Sequence, residues 1–269
     1  MIGFYDSGVG GLSVVNEFLK LKPNTEILYL ADTQNFPLGN KNLDEVLAVT
    51  KSGVEYLFNQ GCQLVILACN TATSVAIRYL QQTWLKVNSH YQNRKVLGIV
   101  KPTIEQIVSI NPNQESVLFL ATNVTCQSGF YLKELALLGY NQVDCLAFTD
   151  LAAAIELLDY TLIDQILEQS LNNPKISQYK FFVLACTHYP IIFDLISAKL
   201  TKFLQNKTFI LVNQSEVIAT SLERYLRKHS EISTVTGLVK IYITKGQVVD
   251  FQRKVKLLFP DLPVAVFKV

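Results

Sequence analysis

Apolar residues along this chain fall into two alternating rhythms. Short, mainly apolar runs at 2–5, 27–31, 63–68, 96–100, 117–121, 143–147, 181–185, 238–244 and 264–267 predict strands. Between them, apolar residues recur every three or four positions. Leu12, Val15, Phe18 and Leu19 form one such face, and Val46, Val49, Val54, Leu57 and Phe58 form another that ends near Gly61. Val75, Ile77, Leu80 and Trp84 predict a helix beginning near Thr73. Further helices are predicted over 128–138, stopped by Gly139, over 150–158 and over 162–171. Another opens at Pro190 with Ile191, Ile192, Leu195 and Ile196 on one side, and the last two run through Leu226 and through Leu257 and Leu258. Strand and helix alternate throughout, which predicts the α/β class with parallel sheets and helices on both faces. At 269 residues the chain predicts two compact lobes, divided at the polar stretch before Val96 and near Lys207.

One strand pattern occurs twice. Leu64-Val65-Ile66-Leu67-Ala68-Cys69-Asn70-Thr71 and Phe181-Phe182-Val183-Leu184-Ala185-Cys186-Thr187-His188 each carry an apolar run into Ala-Cys and then polar residues, with the cysteines 117 positions apart. Runs apolar on both faces predict central strands of a parallel sheet. Ligands of open α/β sheets bind at the carboxyl ends of such strands, so the two thiols are expected to face one small substrate across a cleft.

Composition narrows the options. Hydrophobic content of 49% with 17% charged residues fits a globular core, and a net charge of +2 without a basic run argues against nucleic acid as the main ligand. No apolar run reaches the ~18 residues of a membrane span, and the amino terminus lacks a basic leader pattern, so a cytoplasmic setting is expected. The five cysteines, Cys62, Cys69, Cys126, Cys145 and Cys186, are odd in number and scattered, which predicts reduced thiols. With only His90, His188 and His229 beside them, no zinc spacing emerges and no metal is expected.

Cys69 and Cys186 stand apart because each ends a strand where a helix is predicted to begin. A helix amino terminus should lower a thiol pKa from its free value of about 8.5 toward neutrality. Asn70, Thr71 and Thr73, and Thr187 in the second copy, offer donors for a carboxylate. His188 sits two residues from Cys186, in position to tune it or to carry a proton. Asp6-Ser7-Gly8-Val9-Gly10-Gly11 forms a glycine-rich turn between strand and helix. It lacks the lysine of a phosphate loop, and Ser13 replaces the third glycine of a dinucleotide fingerprint. Asp6 there suits a substrate ammonium or the orientation of a neighbouring acid–base group; alternatively Asp6 and Ser7 simply cap the helix.

Three segments, Asp6 to Ser13, Ala68 to Thr73 and Cys186 to Pro190, closely resemble the signatures of the glutamate racemase family. The resemblance continues through Ala31-Asp32-Thr33, Pro37, Gly39, Thr122, Thr125, Ser128, Tyr131, Glu156 and Ser215-Glu216. It implies two pseudo-symmetric lobes with the site between them, one lobe built from both chain ends. That corresponds to 1–95 plus 208–269 carrying Cys69, and 96–207 carrying Cys186. It also implies cofactor-independent racemisation of glutamate for peptidoglycan synthesis, with Cys69 acting on the D-isomer and Cys186 on the L-isomer. Asp6 and Ser7 would support the first thiol, and Glu156 and His188 the second. Asn70, Thr71, Thr73, Thr122, Thr125 and Thr187 would hold the substrate carboxylates, with Leu38 and Gly39 closing one end. A homodimer is compatible with the family. Leu38 stands where the family usually has tyrosine, which removes a phenolic donor and leaves aspartate as an alternative substrate; Ala185 replaces a usual glycine before the second cysteine. A gyrase-binding role, found in some relatives, is a further alternative.

Overall fold

The computed structural model describes residues 1–205, 207–232, 234 and 236–269. The amino-terminal part alternates β1 (Ile2–Asp6), α1 (Leu12–Leu21), β2 (Ile27–Ala31), α2 (Leu43–Asn59) and β3 (Leu64–Leu67). Next, α3 (Asn70–Tyr79) passes through a π turn at Leu80–Trp84 into the short α4 (Leu85–Val87), and β4 (Lys95–Gly98) follows. The middle of the chain holds α5 (Val100–Ile110), β5 (Val117–Ala121), α6 (Asn123–Ser128), α7 (Phe130–Ala136), β6 (Val143–Ala147), α8 (Leu151–Leu157) and α9 (Tyr160–Leu171). It ends with β7 (Phe181–Ala185), α10 (Phe193–Leu204) and β8 (Ile210–Val212). The chain closes with α11 (Gln214–Lys228), β9 (Val239–Ile243), α12 (Val248–Leu258) and β10 (Val264–Lys268).

Two all-parallel sheets result, ordered β10-β9-β2-β1-β3-β4 and β6-β5-β7-β8. The α/β class predicted from the alternation and the two lobes predicted from the length are therefore present. β3 and β7, the strands that deliver Cys69 and Cys186, are interior in their sheets and buried along their whole length. Each sheet has apolar side chains on both faces, which is why these strands read as unbroken apolar runs.

Sheet membership corrects the expected divisions. The strand beginning at Lys95 pairs with β3 and completes the first sheet rather than opening the second lobe. Residues 210–212 pair with β7 and complete the second. The chain thus crosses between lobes after Gly98 and after Val212. The polar stretch before Val96 is a surface turn within the first lobe, since composition marks exposure and not a change of sheet.

The helix expected over 128–138 is instead α6 and α7, broken at Gly129, which has φ +62°. Left-handed backbone is accessible to glycine without strain, so the break falls there. The expectation of uniformly reduced thiols also fails: Cys126 on α6 and Cys145 on β6 form a disulfide, with Cα atoms 5.5 Å apart. Folding brings that helix against the edge strand, a proximity that a 19-residue spacing does not reveal. Cys62, Cys69 and Cys186 remain free and buried. Among the described residues, no helix is long and apolar enough to cross a membrane.

Candidate active site

β3 ends at Leu67 and α3 begins at Asn70, so Cys69 is the residue that caps the helix. β7 ends one residue before Cys186, and a single 3-10 turn, Tyr189–Ile192 with Pro190 in its first turn, separates that cysteine from α10. Both thiols line one cavity of about 20 Å³ between the lobes. On the first-lobe side the cavity is also bounded by Ser7, Leu38, Gly39, Asn70 and Thr71, and on the other by Thr122, Thr187 and His188. A space of this size holds about one water, so a larger ligand is admitted only as the lining moves apart.

The electrostatics of the Cys186 side come from a chain of contacts centred on Glu156, two of which cross between the lobes. His188 Nε2 donates to Glu156 Oε2 at 2.9 Å, and its Nδ1 lies 3.9 Å from Cys186 Sγ. Glu156 Oε2 also accepts from the Val9 amide at 3.0 Å, and Oε1 accepts from Lys254 Nζ at 2.7 Å. Burial disfavours charge on His188, but its hydrogen bonds to Cys186 and Glu156 outweigh this and raise it to about 10. Burial likewise pushes Glu156 up, yet the imidazolium and the Lys254 ammonium hold its carboxyl down at about 2. The result is a buried ion pair with a third charge behind it.

The Cys69 side differs, and it overturns one expectation. Burial raises the Cys69 thiol well above its ordinary range, and the charge of Asp6 raises it further. The amides of Ala72 and Thr71 at the start of α3 pull the other way without compensating. In this enclosed state desolvation therefore exceeds the helix field, and Cys69 is a neutral thiol.

Asp6 is fully buried beneath the cavity, where it accepts from the Gly8 amide at 2.8 Å and the Thr187 hydroxyl at 3.1 Å. Burial raises its pKa against the charge of His188. Its oxygens are engaged in holding the glycine turn and Thr187, which fits the orienting alternative rather than an ammonium ligand. Helix capping is not its task, because Gly11 is the residue that caps α1.

Three hydroxyls form a closed triangle across the lobes. Thr71 Oγ1 lies 2.9 Å from Thr122 Oγ1 and 3.1 Å from Thr125 Oγ1, and the last two are 3.0 Å apart. Thr125 is thus joined to the site through its neighbours. Thr73 is a correction: its hydroxyl donates to the Leu67 carbonyl at 2.9 Å and faces away from the cavity, toward Gly98. The physical reason is the start of α3 at Asn70 rather than near Thr73. Residues two apart on a helix point about 200° from each other, so with Thr71 facing the cavity Thr73 turns to the sheet.

Phe36, Ala152 and Gln214 enter the site without a local sequence signal, beside Pro37 and Tyr131. Phe36, Pro37 and Ala152 complete the cavity wall, and Phe36 packs against His188 with ring centroids 5.6 Å apart. Gln214 is buried at the start of α11 and accepts from Asn70 Nδ2 at 2.8 Å, while its Nε2 donates to Thr103 Oγ1 at 2.8 Å. Tyr131 donates to Asn70 Oδ1 at 2.5 Å. The Asn70 side chain is therefore committed to a protein network that fixes the first turn of α3.

Close approach makes Gly10 indispensable. A Cβ there would lie 2.5 Å from His188 Nδ1 and 2.7 Å from its Cε1. Gly10→Ala is expected to push the imidazole off Cys186 and to lower turnover by ~10²-fold, with a far-ultraviolet dichroism spectrum like that of the parent. Turnover within about two-fold of the parent would show that His188 position does not matter.

No family model matches the chain. A glutamate racemase of Caulobacter sp. (strain K31) is 33% identical over 271 residues, spanning 91% of this chain and 92% of that relative. The glutamate racemase of Phenylobacterium zucineum (strain HLK1) is 34% identical over 268 residues, with 91% and 92% covered. Among solved structures, a glutamate racemase isoform from Bacillus anthracis matches with a TM-score of 0.84 at 25% identity, covering 100% of this chain and 97% of that one. Identity above 30% across nine-tenths of both chains, with the same two-sheet fold, places the protein: it belongs to the glutamate racemase family.

Proposed function

We propose that this protein interconverts L- and D-glutamate by a two-base mechanism in which Cys69 and Cys186 serve opposite faces of the α-carbon. The observation that carries this reading is the pair of buried thiols, each at the end of an interior strand, lining one small cavity. In one direction a thiolate removes the α-proton, forming an S–H bond as the C–H bond breaks. The opposing thiol then gives its proton to the other face and becomes the thiolate, so the net protonation of the enzyme is unchanged. Two opposed groups are required because a single base would tend to return the proton to the face it came from.

Each supporting residue has a role in this scheme. The amides at the start of α3 and the hydroxyls of Thr71 and Thr122 supply donors for substrate carboxylates and for charge developing on the carbanion. His188 exchanges a proton with Cys186 and supplies positive charge beside it, with Glu156 fixing the ring. Asp6 orients Thr187 and the glycine turn under Cys69. Following the family resemblance, Cys69 serves the D-isomer and Cys186 the L-isomer. No cofactor is needed in this scheme. The product role is D-glutamate supply for peptidoglycan synthesis in the cytoplasm.

Incubation of reduced protein with each glutamate enantiomer in D₂O, without pyridoxal phosphate, is expected to give α-deuterated racemic glutamate. No exchange from either enantiomer would sink the proposal. A second reading, aspartate as substrate, is favoured by Leu38, which is buried in the cavity wall and brings no hydroxyl to it. Faster turnover of aspartate than of glutamate in the same assay would establish that reading instead.

A further inference from the structure

Two ion pairs join the lobes among the described residues: Arg78 on α3 with Glu134 on α7, and Lys254 on α12 with Glu156 on α8. The first lies at the surface, with an arginine side chain more than half exposed. Pairs of that kind add little. The second is enclosed, with side-chain exposures of 24% and 8%. Lys254 belongs to the last helix of the chain, whereas Glu156 orients His188 in the other lobe.

We infer that Lys254 is a positioning residue for the Cys186 side, tying the lobes together through Glu156 so that His188 is aligned only when the cleft is shut. The chain of contacts is continuous: Lys254 Nζ to Glu156 Oε1 at 2.7 Å, Glu156 Oε2 to His188 Nε2 at 2.9 Å, and His188 Nδ1 to Cys186 Sγ at 3.9 Å. The ammonium is itself steered, lying 5.9 Å from the ring centroid of Phe251, a buried residue one turn earlier on α12. Glu156 also accepts the Val9 amide, so one carboxylate collects two first-lobe donors and one imidazole. Parting the lobes to admit substrate withdraws Lys254 and Val9 together and leaves the His188 partner loose. Closure restores all three contacts in one movement.

Lys254→Met removes the tie while keeping the side-chain stem, and Lys254→Arg keeps the charge. Iodoacetamide labelling followed by peptide mass spectrometry reads closure directly. Cys69 and Cys186 in the Met variant are expected to label several-fold faster than in the parent, with Cys62 in the core unchanged and the Arg variant near the parent. Kinetics read the positioning: kcat/KM should fall about ten- to hundred-fold in the Met variant. The α-deuterium isotope effect should rise for L-glutamate and fall for D-glutamate, a redistribution that a general loss of stability does not produce. Parent-like labelling of both pocket thiols, or Cys62 rising in step with them, overturns the inference, as do unaltered isotope effects. The kinetic arm rests on the racemase reading and the labelling arm does not. A parent enzyme inactive on glutamate would sink that reading and leave labelling to decide the role of Lys254.

Discussion

Serine at either Cys69 or Cys186 is expected to slow glutamate racemisation in both directions by ~10²–10⁴-fold, the range over which a positioned acid–base group contributes. The reason is chemical rather than steric. Serine preserves the shape of the cysteine closely, so the strand ends and the first turn of α3 stay intact. Its hydroxyl is a far weaker acid than a thiol, so it neither holds an anion ready for the α-proton nor surrenders a proton readily to the carbanion. The equilibrium constant between enantiomers is one, so loss on one face must appear in kcat/KM for both. Polarimetry on each variant from each enantiomer, with unfolding curves alongside, is the measurement. A variant within about ten-fold of the parent would remove that cysteine from the mechanism. The same variants address the gyrase-binding alternative, since an interaction at the surface has no need of two buried thiols.

Glu156→Gln should produce the largest loss of stability, because it removes the buried carboxylate facing both His188 and Lys254 and leaves their charge uncompensated. Breaking a buried pair in this way costs about 3–5 kcal/mol, or a fall in melting temperature of roughly 10 °C for a chain of this size. The loss should depend on pH in a defined direction. His188 is raised from an unfolded value near 6.5 to about 10, so its contribution is complete below ~6.5 and disappears as pH rises through about 10. Glu156 is lowered from an unfolded value near 4.5 to about 2, so its contribution is complete above ~4.5 and disappears as pH falls through about 2. The gap between parent and variant is therefore widest between pH ~4.5 and ~6.5 and narrows on either side. Thermal unfolding across pH 3–10 tests it. A gap independent of pH would mean that packing, not charge, accounts for the loss.

Legibility in the sequence tracked how local each feature is. Cys69 and Cys186 stand out because the apolar run, the small residue and the following polar residues are all contiguous, and interior strands must be apolar on both faces. Thr73 does not face the cavity, because α3 begins at Asn70 and not near Thr73. Once the helix starts at Asn70, its 3.6-residue period turns Thr71 and Thr73 to opposite sides. The direction of the Cys69 pKa shift is not legible in the sequence, because burial outweighs the helix field there and burial is a property of the folded molecule.

The sequence by itself determined the alternation of strands and helices, the α/β class, the two cysteine-bearing strand ends and the glycine turn carrying Asp6. All of these arise from periodicity and from residues adjacent in the chain. Only the tertiary structure decided that β4 and β8 complete the two sheets, that Cys126 and Cys145 are joined, and that Lys254 reaches Glu156 across the cleft. It also decided that Gln214 holds Asn70. These pairings bring together residues that are apart in sequence, and the burial around them exists only once the chain has folded.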